Sequence, residues 1–340
     1  MRLSVLDQSI AVTGRPEADA IRDTLALAAA CEALGYDRFW VSEHHNNATI
    51  VGTAPEILVA AIAARTTRMR IGSAGVMLPH YAPLKVAEQF RVLDAIAPGR
   101  IDLGIGRAPG SDPRTAFALN PLGQQRPADF PDDVRDLLAW VSGAPLPAGH
   151  PFALVRACPG GETAPEVWIL GSSDYGAQVA AHFGLPYAYA FFFADGAGAE
   201  PALEIYRSRY RASARHPASH AALCVFALAA DTSEEAQFEF GSRARFRMLR
   251  ERGIFKPLEP PTVAAAAPTT PAEAARLAQL RASAFVGTGA QVARQLEALA
   301  RRLAVEEIAV VTWAYEERVR HKSYTLLAEA MGFAQPAVNR

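Results

Sequence analysis

Short apolar runs alternate with longer segments whose apolar residues recur at helical spacing, almost from one end of the chain to the other. Leu3–Leu6 precedes a helical pattern over Pro16–Leu34 that closes at Gly35. Arg38–Ser42 precedes one over Thr53–Arg65, where Thr53 and Glu56 have capping-box spacing. Arg70–Met77 leads to Pro83–Ile96, with Pro83 suited to a first helical turn and Pro98-Gly99 as the stop. Ile101–Ile105 is followed by a polar stretch and a helix over Pro131–Val141. Glu166–Leu170 leads to Tyr175–Phe183, and Tyr187–Ala190 to Pro201–Ala214. Ala222–Ala229 leads, after a long excursion, to Gln291–Leu303, where Val292, Leu296, Leu299 and Leu303 share one face. Glu307–Thr312 and a helix over Val319–Met331 complete the chain.

Strand followed by helix, eight times over, predicts a parallel sheet with right-handed crossovers. At 340 residues the chain moderately exceeds the ~250 of a minimal (β/α)8 TIM barrel, so insertions are expected after strand 4 and strand 7. An open doubly wound sheet is the runner-up, but Asp7-Gln8-Ser9 after the first strand is not its glycine-rich fingerprint. Two excursions, at about 108–165 and 240–286, interrupt the alternation. The second starts with Arg243, Arg245, Arg247, Arg250 and Arg252, a charge run that reads as a solvated face. It continues through Pro257–Pro271, a Pro/Ala-rich tract that suits a lid or a disordered loop. Length alone would suggest two domains. Strand counting replaces that with one barrel domain over 1–340.

Half of the residues are apolar and 20% are charged, enough for a large core. The net charge of -1 gives no field that would draw nucleic acid or a membrane surface. Cys31, Cys158 and Cys224 show no metal or disulfide spacing. The first residues are too briefly apolar for a secretory segment, and no run approaches the ~18 residues of a membrane span. A soluble, cytoplasmic protein is expected.

Polar chemistry gathers where strands end: Glu43-His44-His45-Asn46-Asn47, Pro79-His80-Tyr81, Arg107, Gly171-Ser172-Ser173-Asp174 and Trp313-Ala314-Tyr315. In a barrel of this type that is the catalytic face. Adjacent residues on an extended segment point opposite ways, so one histidine of His44-His45 is expected in the mouth. No ligand spacing supports a metal. The loops that enter the strands read as ordinary turns. LGSSDYGAQ opens straight into a helix, and its free N–H groups favour an anion. A plain helix cap by Ser173 or Asp174 is the alternative, Asp174 would repel a phosphate unless it points away, and Gly287-Thr288-Gly289 is a rival site. Arg107 at the neighbouring strand end favours the serine turn.

These segments resemble the bacterial luciferase-like flavin-dependent monooxygenases. The resemblance runs through FWVSEHHN at 39–46, RIGSAGVMLPHYAPLKVAEQFRVLDAIAPGRIDLGIGRAPGSD at 70–112 and WILGSSDYGAQVAAHFGLPYAYA at 168–190, and more faintly FVGTGAQVARQL at 285–296. It implies a barrel that binds FMN at its mouth, with reduced FMN as a co-substrate delivered by a separate flavin reductase. Dioxygen and the reduced flavin would then oxygenate a small-molecule substrate. His44 resembles the family's active-site histidine, a base or acid titrating near neutrality, with His45 orienting it or making a structural bond. Ala74 and Gly75 match the strand whose non-prolyl cis peptide packs on the flavin ring. Arg107, Gly171, Ser172, Ser173, Tyr175 and Gly176 match the phosphate-binding elements. Phe191, Phe192 and Phe193 either line a substrate pocket or belong to the core. Deazaflavin-dependent hydride transfer and non-catalytic flavin binding are the other readings. A homodimer paired through the helix over 53–65 is expected, and light emission is not.

Overall fold

The apolar runs are covered on both faces, and alternation along each strand divides them between two cores. In β1 (Arg2–Asp7), Leu3 and Val5 face the surrounding helices while Leu6 faces the barrel interior. β2 (Arg38–Val41) places Phe39 and Val41 outward and Trp40 inward; β5 (Glu166–Gly171) does the same with Val167, Ile169 and Trp168. β7 (Ala221–Ala230) turns Ala222, Cys224, Phe226, Leu228 and Ala230 inward. A strand buried on both faces reads as a continuous apolar run, the mark of a parallel sheet wrapped in helices.

The computed structural model describes residues 1–108, 111–121, 130–193 and 195–333. Pro109 and Gly110 of the strand-four motif, part of the first excursion (122–129), and residues 334–340 of the 1–340 span expected for the barrel lie outside them. β1, β2, β3 (Arg70–Met77), β4 (Ile101–Gly106), β5, β6 (Tyr187–Tyr189) and β7 pair in order, all parallel. β7 also pairs with β9 (Glu307–Val311), and β9 with β1, which closes an eight-stranded barrel. The (β/α)8 expectation therefore holds, with insertions after the fourth and seventh strands.

Helices α1 (Glu17–Leu34), α2 (Pro55–Ala63), α3 (Pro83–Ile96), α6 (Asp174–Phe183) and α7 (Ala199–Ser208) follow their strands. The first insertion carries α4 (Pro113–Leu119) and α5 (Phe130–Ser142). The second holds α8 (Ser233–Glu251), α9 (Pro261–Ala266), α10 (Pro271–Ala282) and β8 (Phe285–Thr288); α11 (Gly289–Leu303) then leads back to β9, which α12 (Glu317–Ala330) follows.

Three expectations are corrected. A ninth strand, β8, runs parallel to the second half of β7 outside the barrel circuit; four residues are too short a run to announce it. The Pro/Ala tract is neither lid nor disordered loop. Leu258 is fully buried and bonded to Ala11 and Thr13, α9 packs on α8, and Thr270 forms a capping box with Glu273. Thr53 does not cap α2, which starts at Pro55 with Ala54 as its uncapped N-terminus.

Candidate active site

Parallel strands deliver all their C-terminal ends to one mouth. A cleft of about 1060 Å³ opens there, lined by His44, His45 and Trp313 from the strand ends and by Phe192 and Phe193 after β6. Phe191 is buried instead, so the three phenylalanines divide between core and cleft. From α8 come Arg243, Phe246, Arg247 and Arg250. Positions 243, 247 and 250 stand at i, i+4 and i+7, one face of a helix. Arg245 and Arg252 face elsewhere and bond to Glu259 and Glu273. The basic run is thus a solvated face only in part.

Both histidines reach the cleft, where one was expected. β2 ends at Val41, and Asn46 has a left-handed backbone (φ 50°), so strand alternation does not govern residues 44 and 45. The His44 N–H donates to the Gly52 carbonyl, and its Nδ1 lies 3.3 Å from Ser42 Oγ. Burial, then the Arg250 and His45 charges, push its pKa down to about 4. His44 is therefore a neutral imidazole at physiological pH rather than a group titrating near neutrality. His45 does not orient it. Its Nε2 lies 2.7 Å from Oε1 of buried Glu43, which also accepts from the Met77 N–H (3.0 Å) and Tyr81 hydroxyl (2.7 Å).

Ala74, Gly75, Arg107 and the 171–176 turn form a second group at the strand ends and are not among the residues lining this cleft. The Ala74–Gly75 peptide is cis, and the β3–β4 register shifts between Ser73 and Val76. Both residues are half-buried in a strand otherwise buried from Ile71 to Met77. A Cβ on Gly75 would stand 2.6 Å from Leu170 Cδ1 and 2.7 Å from the Gly104 carbonyl oxygen, so only glycine fits. At the start of α6, Ser172, Ser173 and Asp174 are exposed, and neither serine nor the aspartate caps the first turn. Tyr187 and Tyr189 donate to the Ser173 and Ser172 carbonyls, and Gly171 and Gly176 pack together. The Arg107 guanidinium lies 4.1 Å over the Tyr175 ring, exposed and without an ion pair among the described residues. α11 differs. Thr288 and Gln291 form a capping box, and a Cβ on Gly289 would meet the Leu326 carbonyl oxygen at 2.5 Å. Its glycine serves packing and its first turn is partly capped by its own side chains, which weighs against it as an anion site.

The whole-chain comparison decides the family: residues 1–307 match the luciferase-like monooxygenases. The chain belongs to that family. It is a flavin-dependent monooxygenase. A luciferase-like monooxygenase of Escherichia coli K12 is 39% identical over 95% of each chain. An N-acetyl-S-alkylcysteine monooxygenase of Bacillus subtilis is 35% identical, covering 97% of this chain and 98% of its own. The solved structure of apo-MsnO8 superposes with a TM-score of 0.88 at 35% identity, over 98% and 99% of the two chains. Among described residues of this monooxygenase, no helix is long and apolar enough to cross a membrane. Arg243, Arg247 and Arg250 of α8, expected on a solvated face, are functional candidates instead, and their i, i+4, i+7 spacing is the signal that separates them from Arg245 and Arg252.

Proposed function

We propose that this monooxygenase uses reduced FMN and dioxygen to oxygenate a small organic substrate, with the reduced flavin supplied by a separate reductase. The observation that carries the reading is an unpaired arginine beside an uncapped helix start. Exposed Arg107 has no carboxylate partner among the described residues and sits beside the uncapped first turn of α6, with two serine hydroxyls adjacent. A phosphate fits this donor set: a guanidinium, helix N–H groups and a favourable dipole. The exposed Asp174 carboxylate is the one opposing charge, and it can turn to solvent. Half-buried Ala74, Gly75 and Leu170 offer an apolar surface that fits a flat ring system.

Arg107 and residues 171–176 would hold the FMN phosphate, and Ala74 and Gly75 its ring. When bound, reduced FMN would supply the electrons that activate dioxygen. His44, as a neutral imidazole with Nδ1 beside the Ser42 hydroxyl, leaves Nε2 for the cleft, where it can give or take a proton without a standing charge. Phe192, Phe246 and Trp313 exclude water and seat the apolar part of the substrate. FMN is favoured over a deazaflavin because relatives 35–39% identical bear monooxygenase names, and deazaflavins carry hydride rather than activate oxygen. Exposed Ile57 on α2, with Val92 and Ile96 on α3, supports a homodimer through those helices. Sedimentation as a monomer would reject that pairing. A cytoplasmic site of action, where a reductase can supply flavin, belongs to the same reading.

The test is a pair of titrations. Arg107→Ala is expected to weaken FMN about tenfold and leave riboflavin, which lacks the phosphate, unchanged. Equal loss for both removes the phosphate assignment. Binding of a deazaflavin but not FMN to the wild type removes the cofactor.

A further inference from the structure

We propose that the cleft takes a substrate carrying a carboxylate, and that Arg243 is the residue that binds it. The proposal rests on the cleft being the oxygenation site. Arg243 is only 7% exposed, lines the cleft, and makes no hydrogen bond or ion pair among the described residues. Its Cζ lies 3.7 Å over the Phe226 ring and 5.9 Å from the Trp313 centroid. Stacking covers a flat face of the guanidinium and leaves its N–H edges for a partner. A buried cation without a counter-ion is costly, and none of the nearby carboxylates, Asp195, Glu17 or Asp112, bonds to Arg243. Asp195 already bonds Arg247 at 2.5 Å, and Arg250 adds a further positive charge. Across the cleft, Asp112 is engaged by Asn46, Thr115 and the Arg114 N–H.

Burial and the charges of Arg247 and Arg250, only partly offset by Asp195, bring the Arg243 pKa down to about 9. An arriving anion relieves that destabilisation. A guanidinium edge matches a planar pair of oxygens through two parallel hydrogen bonds. Phe192, Phe246 and Trp313 add aromatic surface to the same cleft. Together these select an amphipathic acid: a carboxylate at Arg243 and an apolar body against the rings.

The test measures binding of 4-phenylbutanoate and 4-phenylbutanamide to the full chain by calorimetry. The wild type is expected to prefer the acid at least tenfold. Arg243→Gln should bind the two within a factor of two, with its FMN affinity unchanged. Arg243→Lys should keep part of the preference. Arg107→Ala should keep all of it. A wild-type ratio near one, or no binding of either compound at millimolar concentration, overturns the proposal without any variant. So does a full preference in Arg243→Gln, or loss of FMN in that variant, which would make Arg243 a flavin contact. Acid preference in a wild type that does not bind FMN supports the carboxylate site and sinks the flavin reading alone.

Discussion

The two ends of the barrel bury arginines to the same degree and treat them in opposite ways. At the N-terminal end, Arg38 opens β2 and is 4% exposed. It bonds to Asp102 at 2.8 Å, Glu307 at 2.9 Å and Glu166 at 3.1 Å. Asp102 in turn accepts from Arg70 at 2.5 Å and from the Trp40 indole at 2.9 Å. Three carboxylates hold the Arg38 pKa above the ordinary arginine value in spite of burial. At the C-terminal end, Arg243 has aromatic faces and no carboxylate bonded to it, and its pKa falls. A saturated cation is a structural plug. An unsaturated one of equal burial is a binding group awaiting its anion. Charge and burial alone do not separate the two; the count of partners does.

Asp102→Ala should produce the largest effect. It leaves Arg38, Arg70 and the Trp40 indole short of a fully buried acceptor, a loss of about 3–5 kcal/mol by urea unfolding. A loss below about 1 kcal/mol would mean that the plug does not hold the barrel end. Next comes acid sensitivity at the same end. Burial would raise the Glu307 pKa, but His220, Arg38, Ser4 and Arg2 hold it at about 2 against an ordinary 4.5. A folded pKa below the unfolded one stabilises fully above pH 4.5. About 3 kcal/mol should then be lost progressively as the pH falls from 4.5 towards 2. Glu307→Gln should flatten that part of the curve, and an unchanged slope would contradict the assignment.

At the mouth, His44→Ala should cut product formation about a hundredfold with FMN affinity retained. Because His44 protonates only near pH 4, the wild-type rate should show no His44 step around pH 6.5. Equal turnover by the variant would dispose of its role. The smallest change sharpens the comparison most. Arg243→Met breaks no ion pair, so stability should change by at most about 1 kcal/mol. A loss as large as that of Asp102→Ala would make the two ends alike after all.

Much of the mouth was legible because its signals are local. The residues 43–47, Arg107 and the 171–176 turn each directly follow a strand, and strand direction alone puts them on one face. Gly75 was legible through resemblance, and the close approach of Leu170 and Gly104 shows why glycine stands there. The plug was not legible. Arg38, Arg70, Glu166 and Glu307 each look like an ordinary polar residue at the start of a strand, and Arg38 and Glu307 are 269 residues apart. The ionisation of His44 was also out of reach, since it depends on burial and on Arg250 from a distant helix.

By itself the sequence determined the alternation of strand and helix, the two-sided burial of the strands and the polar identity of their ends. These follow from periodicity and turn chemistry within a few residues. Only the tertiary structure decided that β7 closes on β9 while β8 stays outside, that both histidines enter the cleft, and which arginines find carboxylates. Barrel closure brings together groups hundreds of residues apart, and the cost or benefit of a buried charge depends on what closure puts beside it.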